Sequence, residues 1–279
     1  MHTWTWSATS RSCASPDEVA SEGLVTGAEQ LIVLIGGFGA GILTSTVGVA
    51  SLLSFPILLA VGLPPVVANA SNTVGMTPAG LSGSFGYRRE LGEHPRITML
   101  VLVLCAVGSV GGAVLLLALP PGVFSAVVPW LILFTSILVG VQPAITKHLR
   151  ERRGVESTDR VRMSPATAVW AGLTGVYGGY FGAGSGVMMV AVLGFGLDLD
   201  LRIVNALKTL AVMSANVVAT VIFVFLAELD WPAIGLLAAG SVIGGYVGSH
   251  IGRRLPSSVL RTLIVVVGVT ASVLLLARG

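Results

Sequence analysis

Long apolar runs, cut at short intervals by prolines and small charged clusters, constrain this chain more than any other feature. Six stretches are long and apolar enough to cross a bilayer: 66–87, 97–119, 122–145, 203–227, 231–251 and 257–277. A spanning helix needs about 20 such residues. Pro64-Pro65, Arg88-Arg89, Pro120-Pro121, Glu228 with Asp230, and Arg253-Arg254 punctuate them. Only 10% of the chain is charged and 54% is hydrophobic, whereas soluble domains carry about 25% charge. The chain therefore reads as an all-α polytopic membrane protein of the cell membrane, with the lipid bilayer as its solvent.

The net charge of +3 comes from basic residues in short clusters between apolar runs, as membrane loops carry them. It gives no reason to expect nucleic acid. Cys13 lies in a polar segment and Cys105 inside an apolar run, so neither a disulfide between them nor a metal site is expected. No nucleotide-binding loop and no nucleophile with a base is present. The chain is expected not to be an enzyme and to need no cofactor; an ion or substrate gradient is the energy source left to it. Residues 1–28 hold Asp17, Glu18 and Glu22 without the apolar core of a signal peptide, and read as a disordered tail.

Two further regions, 29–61 and 166–197, are too long for one upright span and too short for two. Each is broken by small residues: Gly48-Val49-Ala50-Ser51 in the first, Gly182-Ala183-Gly184-Ser185-Gly186 in the second. Each is expected to form a hairpin of two short helices meeting at mid-membrane depth. Non-helical backbone is tolerated there only when it lines a cavity or is buried in protein. The two breaks belong to an internal duplication of about 135 residues. Asn69-Ala70-x-x-Thr73 recurs as Asn205-Ala206-x-x-Thr209, and Gly108-Ser-Val-Gly-Gly112 resembles Gly240-Ser-Val-Ile-Gly-Gly245. The expected organisation is a tail (1–28), a first transmembrane repeat (29–146), a basic cytoplasmic linker (147–165) and a second transmembrane repeat (166–279).

Charge bias orients the chain, because Lys and Arg favour the cytoplasmic side. If each broken region returns to the side it came from, all but Arg11 and Arg278 face the cytoplasm, and the loop with Glu228 and Asp230 faces out. If each crosses once, Arg202, Arg253, Arg254 and Arg261 move outside. The first arrangement is preferred. It makes the repeats inverted in topology, each a re-entrant hairpin plus three spanning helices, as in many secondary transporters. An eight-span parallel repeat is the alternative.

In such transporters the substrate sits between broken helices near the midplane, where helix N-termini attract anions. The candidate binding residues are Gly48 and Ser51 at the first break, and Gly182, Gly184 and Ser185 at the second. Asn69, Asn72 and Thr73 share one helical face, as do Asn205, Lys208 and Thr209; Asn216 extends the latter. Amides, hydroxyls and one ammonium suit a small oxygen-rich anion. The competing readings are a Lys208 that snorkels to the headgroups and Asn and Thr residues that act as interhelical glue. A cation or metal permease is disfavoured, since no acidic residue, His or Cys lies at mid-membrane depth with ligand spacing.

The order of these features resembles the TauE/SafE sulfite exporter family. The resemblance lies in Gly48-Val-Ala-Ser-Leu-Leu-Ser-Phe-Pro56, the Ala/Asn/Ser/Thr helix after it, Tyr87-Arg88-Arg89, Tyr180-Phe-Gly-Ala-Gly-Ser-Gly186, Leu229-Asp230-Trp231, and Arg253-Arg254-Leu255-Pro256. It covers about residues 30–277. It implies ion-gradient-driven transport of a sulfur oxyanion or organosulfonate such as sulfite or sulfoacetate, coupled to a proton or Na+. A non-transporting membrane subunit or receptor, or a permease for another small solute, is the alternative.

Overall fold

Proline marks where several helices begin. Pro65, Pro95, Pro121 and Pro165 each open one, at the position where a missing N–H is no loss. Ser164 caps the last of these, its hydroxyl accepting from the Thr167 N–H. The computed structural model describes residues 27–46, 49–153, 162–251 and 257–278. Among them lie helices α1 (Gly27–Thr46), α2 (Ser51–Ala60), α3 (Pro65–Gly86), a short α4 (Arg88–Glu93), α5 (Pro95–Ala118) and α6 (Pro121–Arg153). These are followed by α7 (Pro165–Tyr180), α8 (Ser185–Gly196), α9 (Leu201–Leu226), α10 (Trp231–Ile251) and α11 (Ser257–Arg278), with no strand among the described residues. Cys13, Gly48, the Arg253-Arg254 turn and nearly all of the expected tail lie outside the described residues.

Four helical stretches are long and apolar enough to cross a membrane: 27–44, 95–118, 121–149 and 201–226. The six expected spans are all helical, but three fall short of this measure. Helix α3 does so because it carries Asn69, Ser71, Asn72, Thr73 and Thr77, all buried against protein. In α10 and α11 the described apolar stretches are shorter, 231–247 and 264–277. Helix α6 runs for 33 residues, so the expected linker begins inside a helix, where Lys147 pairs with Glu151 at 3.8 Å.

Both broken regions fold back on themselves. Gly36 lies against Ile57 and Gly39 against Leu53; Gly178 lies against Ser185 and Gly196 against Thr167. In each pair one residue number rises as the other falls, so the arms are antiparallel. They are also unequal, at 20 and 10 residues in the first hairpin and 16 and 12 in the second. The expectation of two short arms fails for α1, which is itself long enough to span. Phe55 of the first hairpin meets Phe181 of the second at a ring distance of 5.3 Å, so the hairpins share one core.

Glycines set the closest approaches, and they join the two halves crosswise. Helix α1 runs parallel to α10, with Gly37 on Leu237, Gly41 on Ser241, and Gly240 and Gly244 on Phe38. Helix α7 runs parallel to α5 in the same way: Gly172 lies on Gly108, Gly175 on Cys105, and Gly179 on Ser109. A Cβ on Gly37 would sit 2.9 Å from the Leu237 carbonyl oxygen, and one on Gly175 2.7 Å from Cys105 Cα. Such small-residue contacts let membrane helices gain dispersion energy that lipid cannot match. The repeated Gly-Ser-Val motifs sit at these two seams.

Helices α3 and α9 cross at the centre, antiparallel. Thr77 and Thr220 share a hydroxyl hydrogen bond of 2.8 Å, and Ser84 Oγ donates to the Thr209 carbonyl at 3.4 Å. Helices α6 and α11 are also antiparallel, with Ser272 Oγ donating to the Pro129 carbonyl at 2.8 Å and Gly140 near Val265. At one end of the bundle Arg202 Nη2 meets Glu93 Oε1 at 2.6 Å and its Nη1 lies 3.8 Å from Glu90.

The seams predict a contrast between neighbours. A side chain on Gly112 would enter the backbone of Val176 and Tyr180, whereas Gly111 has nothing within 4 Å. Gly112→Leu should cost about 2 kcal/mol or more, and Gly111→Leu less than about 0.5 kcal/mol. Thermal unfolding in detergent reads both.

Candidate functional site at the hairpin tips

The two breaks face a shared cavity of about 60 Å³, room for a few waters or one small ion. Ala50 and Ser51 line it from the first tip, Gly184 and Ser185 from the second, Met76 and Gly80 from α3, and Val212 and Asn216 from α9. These are equivalent positions of the duplicated sequence, 134 residues apart at the tips and 136 apart on the helices. Thr44, Val49, Gly182 and Gly186 complete the wall.

The second tip shows how its sequence makes the break. Gly182 and Gly184 have φ of 78° and 75°, the left-handed region that costs other residues about 1–2 kcal/mol. The freed backbone is then tied down locally. Ser185 Oγ donates to the Gly182 carbonyl at 2.8 Å, and Tyr177 Oη donates to the Ala183 carbonyl at 2.8 Å. Gly184 packs on the Thr135 methyl group. At the first tip the Leu53 N–H returns to the Ala50 carbonyl at 2.9 Å.

The structure places four of the expected site residues on the cavity: Ser51, Gly182, Gly184 and Ser185. Gly48 lies outside the described residues. Lys208 stands one residue behind the wall, its aliphatic stem over Gly186, where a Cβ would lie 3.4 Å from Lys208 Cδ. No ion-pair partner for Lys208 exists among the described residues. Asn205 Nδ2 donates to the Leu201 carbonyl at 2.8 Å, and Thr209 Oγ1 to the Asn205 carbonyl at 2.9 Å.

The first-half polar face is turned into the protein. Asn72 Oδ1 accepts from Ser54 Oγ at 2.5 Å, Thr73 Oγ1 donates to the Asn69 carbonyl at 2.9 Å, and Asn69 Nδ2 donates to the Tyr180 carbonyl at 2.9 Å. None of the three lines the cavity. Asn216 does, its Oδ1 3.9 Å from where a Gly182 Cβ would be. In sequence Asn216 extends the Lys208 face, but its position in the first half is Gly80, so the repeat carries no second amide that would mark it as part of the wall.

The wall has donors and no acid. At the N-termini of α2 and α8 most N–H groups turn back to the carbonyls of Val49, Ala50, Gly182 and Gly184, while those of Ser51 and Gly186 have no backbone acceptor among the described residues; both ends carry partial positive charge. Two hydroxyls and an amide flank them, with an ammonium close behind. Among the described residues no three His, Cys, Asp or Glu side chains gather as a metal site.

A helical membrane protein with a carboxylate-free cavity between two broken hairpins is built like a solute transporter. The profile of the sulfite exporter TauE/SafE family matches residues 33–275, and the chain belongs to that family. It is 26% identical over 250 residues to a probable membrane transporter protein of Sinorhizobium sp, covering 88% of this chain and 91% of the relative. A probable membrane transporter protein of Haemophilus influenzae is 24% identical over 234 residues, with 82% and 88% covered. One of Bacillus subtilis is 26% identical over 247 residues, with 88% and 95% covered. No solved structure matches the chain.

Gly184 tests the tip. Gly184→Ala should cost about 2–3 kcal/mol, from the left-handed backbone and the collision with Thr135. Adding Thr135→Ser removes the methyl group, so about half of the loss should return while the backbone share stays. Melting of the single and double variants measures the split.

Proposed function

We propose that this chain is a secondary transporter of a small anion, most readily a sulfur oxyanion or organosulfonate such as sulfite or sulfoacetate, driven by an ion gradient. The observation that carries this reading is the central cavity. It is walled by equivalent positions of both halves, supplied with helix N-termini, hydroxyls and an amide, and free of carboxylates. Ser51, Asn216 and the N–H groups of Ser51 and Gly186 would hold the oxygens, Ser185 would join them by turning its hydroxyl from the Gly182 carbonyl, and Lys208 would neutralise charge from behind Gly186. The family's name supplies the sulfur chemistry, and the anion-suited wall agrees with it.

The halves are read as inverted-topology repeats that rock against each other for alternating access. The antiparallel crossing of the equivalent helices α3 and α9 supports this, because parallel repeats would put them on the same heading. So does the Arg202–Glu93 pair, which needs the loops after α3 and before α9 on one side. If each broken region crossed once, those loops would be on opposite sides. Charge bias makes that side, and the central linker, cytoplasmic, with the protein multi-pass in the cell membrane.

Two experiments follow. With Cys13 replaced, cysteines introduced at Glu90 and Glu228 should be labelled from the cytoplasmic and external sides respectively by an impermeant maleimide; labelling from one side sinks the inverted topology. In proteoliposomes under a proton or Na+ gradient, sulfite or sulfoacetate should move while chloride does not. Lys208→Ala should slow that movement at least about tenfold, the worth of one charged hydrogen bond. No movement of any sulfur anion by folded protein would overturn the substrate class.

A further inference from the structure

Asn69 carries a buried acceptor with nothing to accept. The residue is 1% exposed, and its Oδ1 has no hydrogen-bond partner among the described residues. Its orientation is fixed: Nδ2 donates to the Tyr180 carbonyl at 2.9 Å, and the flipped amide would set oxygen against oxygen. The amide head therefore sits at the C-terminal end of α7, the first arm of the second hairpin.

That end is itself short of donors. The Phe181 and Gly182 N–H groups both turn back to the Tyr177 carbonyl, at 2.9 and 3.1 Å. Among the described residues no backbone N–H donates to the carbonyls of Gly178 and Gly179, both buried residues. A helix C-terminus also carries a partial negative charge of about half a unit. Buried acceptors are ordinarily satisfied, and here Asn69 Oδ1 has no donor while it lies beside a helix end of negative dipole.

We propose that this end of α7, together with Asn69 Oδ1, binds a monovalent cation, with Na+ the ion best suited. The ligands on offer are neutral oxygens. They suit a hard cation of single charge, whereas divalent ions draw on carboxylates. The cation would sit between α3 of the first half and the hairpin of the second, so its binding depends on how the halves are placed. Its role as the coupling ion rests on the transporter reading above; its binding rests on the geometry alone.

The test separates the two. Purified full-length protein is melted in detergent at fixed ionic strength in Na+, K+ or choline. The melting temperature should rise saturably with Na+ over choline, and Asn69→Ala should shift the half-saturating Na+ concentration upward by about tenfold or more. A variant that is only less stable melts lower in every salt and keeps its Na+ increment, so the increment, not the melting temperature, is the readout. Equal melting in Na+ and choline means that an ordered water alone fills the place, and overturns the proposal. An Na+ increment that survives Asn69→Ala overturns it too. Sulfite flux under a proton gradient with no Na+ increment would sink the cation site and keep the transporter. An Na+ increment lost in Asn69→Ala, without flux of any anion, would support the site and sink the substrate class.

Discussion

Backbone that leaves a helix inside hydrocarbon has no water to turn to, and each stray N–H or C=O costs several kcal/mol. This chain has non-helical backbone between apolar helices at 49–50 and at 181–184. The rest of the fold serves those two breaks. Tyr177 and Ser185 spend their hydroxyls on the second tip, and Ser54 ties the first hairpin to Asn72 of α3. Phe55, Phe124, Tyr180 and Phe181 seal the space between them with edge-on rings. What is left unsealed is a small cavity shared by both tips, with hydroxyls and an amide in an otherwise apolar wall.

Crosswise packing holds the tips in place. The long arm of each hairpin lies in a glycine-lined seam on a helix of the other half, α1 on α10 and α7 on α5. Each half thus carries a hairpin whose support comes from the other. The cavity wall follows the same exchange, with α3 and α9 contributing at equivalent heights. The equivalence breaks at two positions that matter chemically. Asn72 is matched by Lys208, and Gly80 by Asn216, so the charge and the cavity amide both belong to the second half.

Much of this was legible in the sequence. Apolar runs and their punctuation set the helices, and the small-residue breaks at Gly48–Ser51 and Gly182–Gly186 located the hairpin tips. The duplication paired the right positions, because it compares backbone roles that both halves keep. Side-chain partners were less legible. Asn69, Asn72 and Thr73 have the spacing of a binding face, and spacing cannot say whether that face meets a ligand or another helix. Asn72 is closed by Ser54, eighteen residues earlier on α2, and Asn69 is turned by a carbonyl 111 residues away. The α1–α10 seam was hidden for the same reason: glycines mark that something comes close, and not which helix comes.

That seam has a consequence for how the protein is made. Helix α1 ends at Thr46 and its partner α10 begins at Trp231. Between them lie 184 residues, which a ribosome supplies at about 5–20 residues per second, a wait on the order of ten to forty seconds. Throughout that interval α1 is in the bilayer with its glycine face against lipid and the first tip without its final neighbours. The insertion machinery, or another helix filling the place for a time, must shelter that hairpin until the last sixth of the chain arrives. The first half is thus an intermediate that needs guarding, although its sequence reads as a complete repeat.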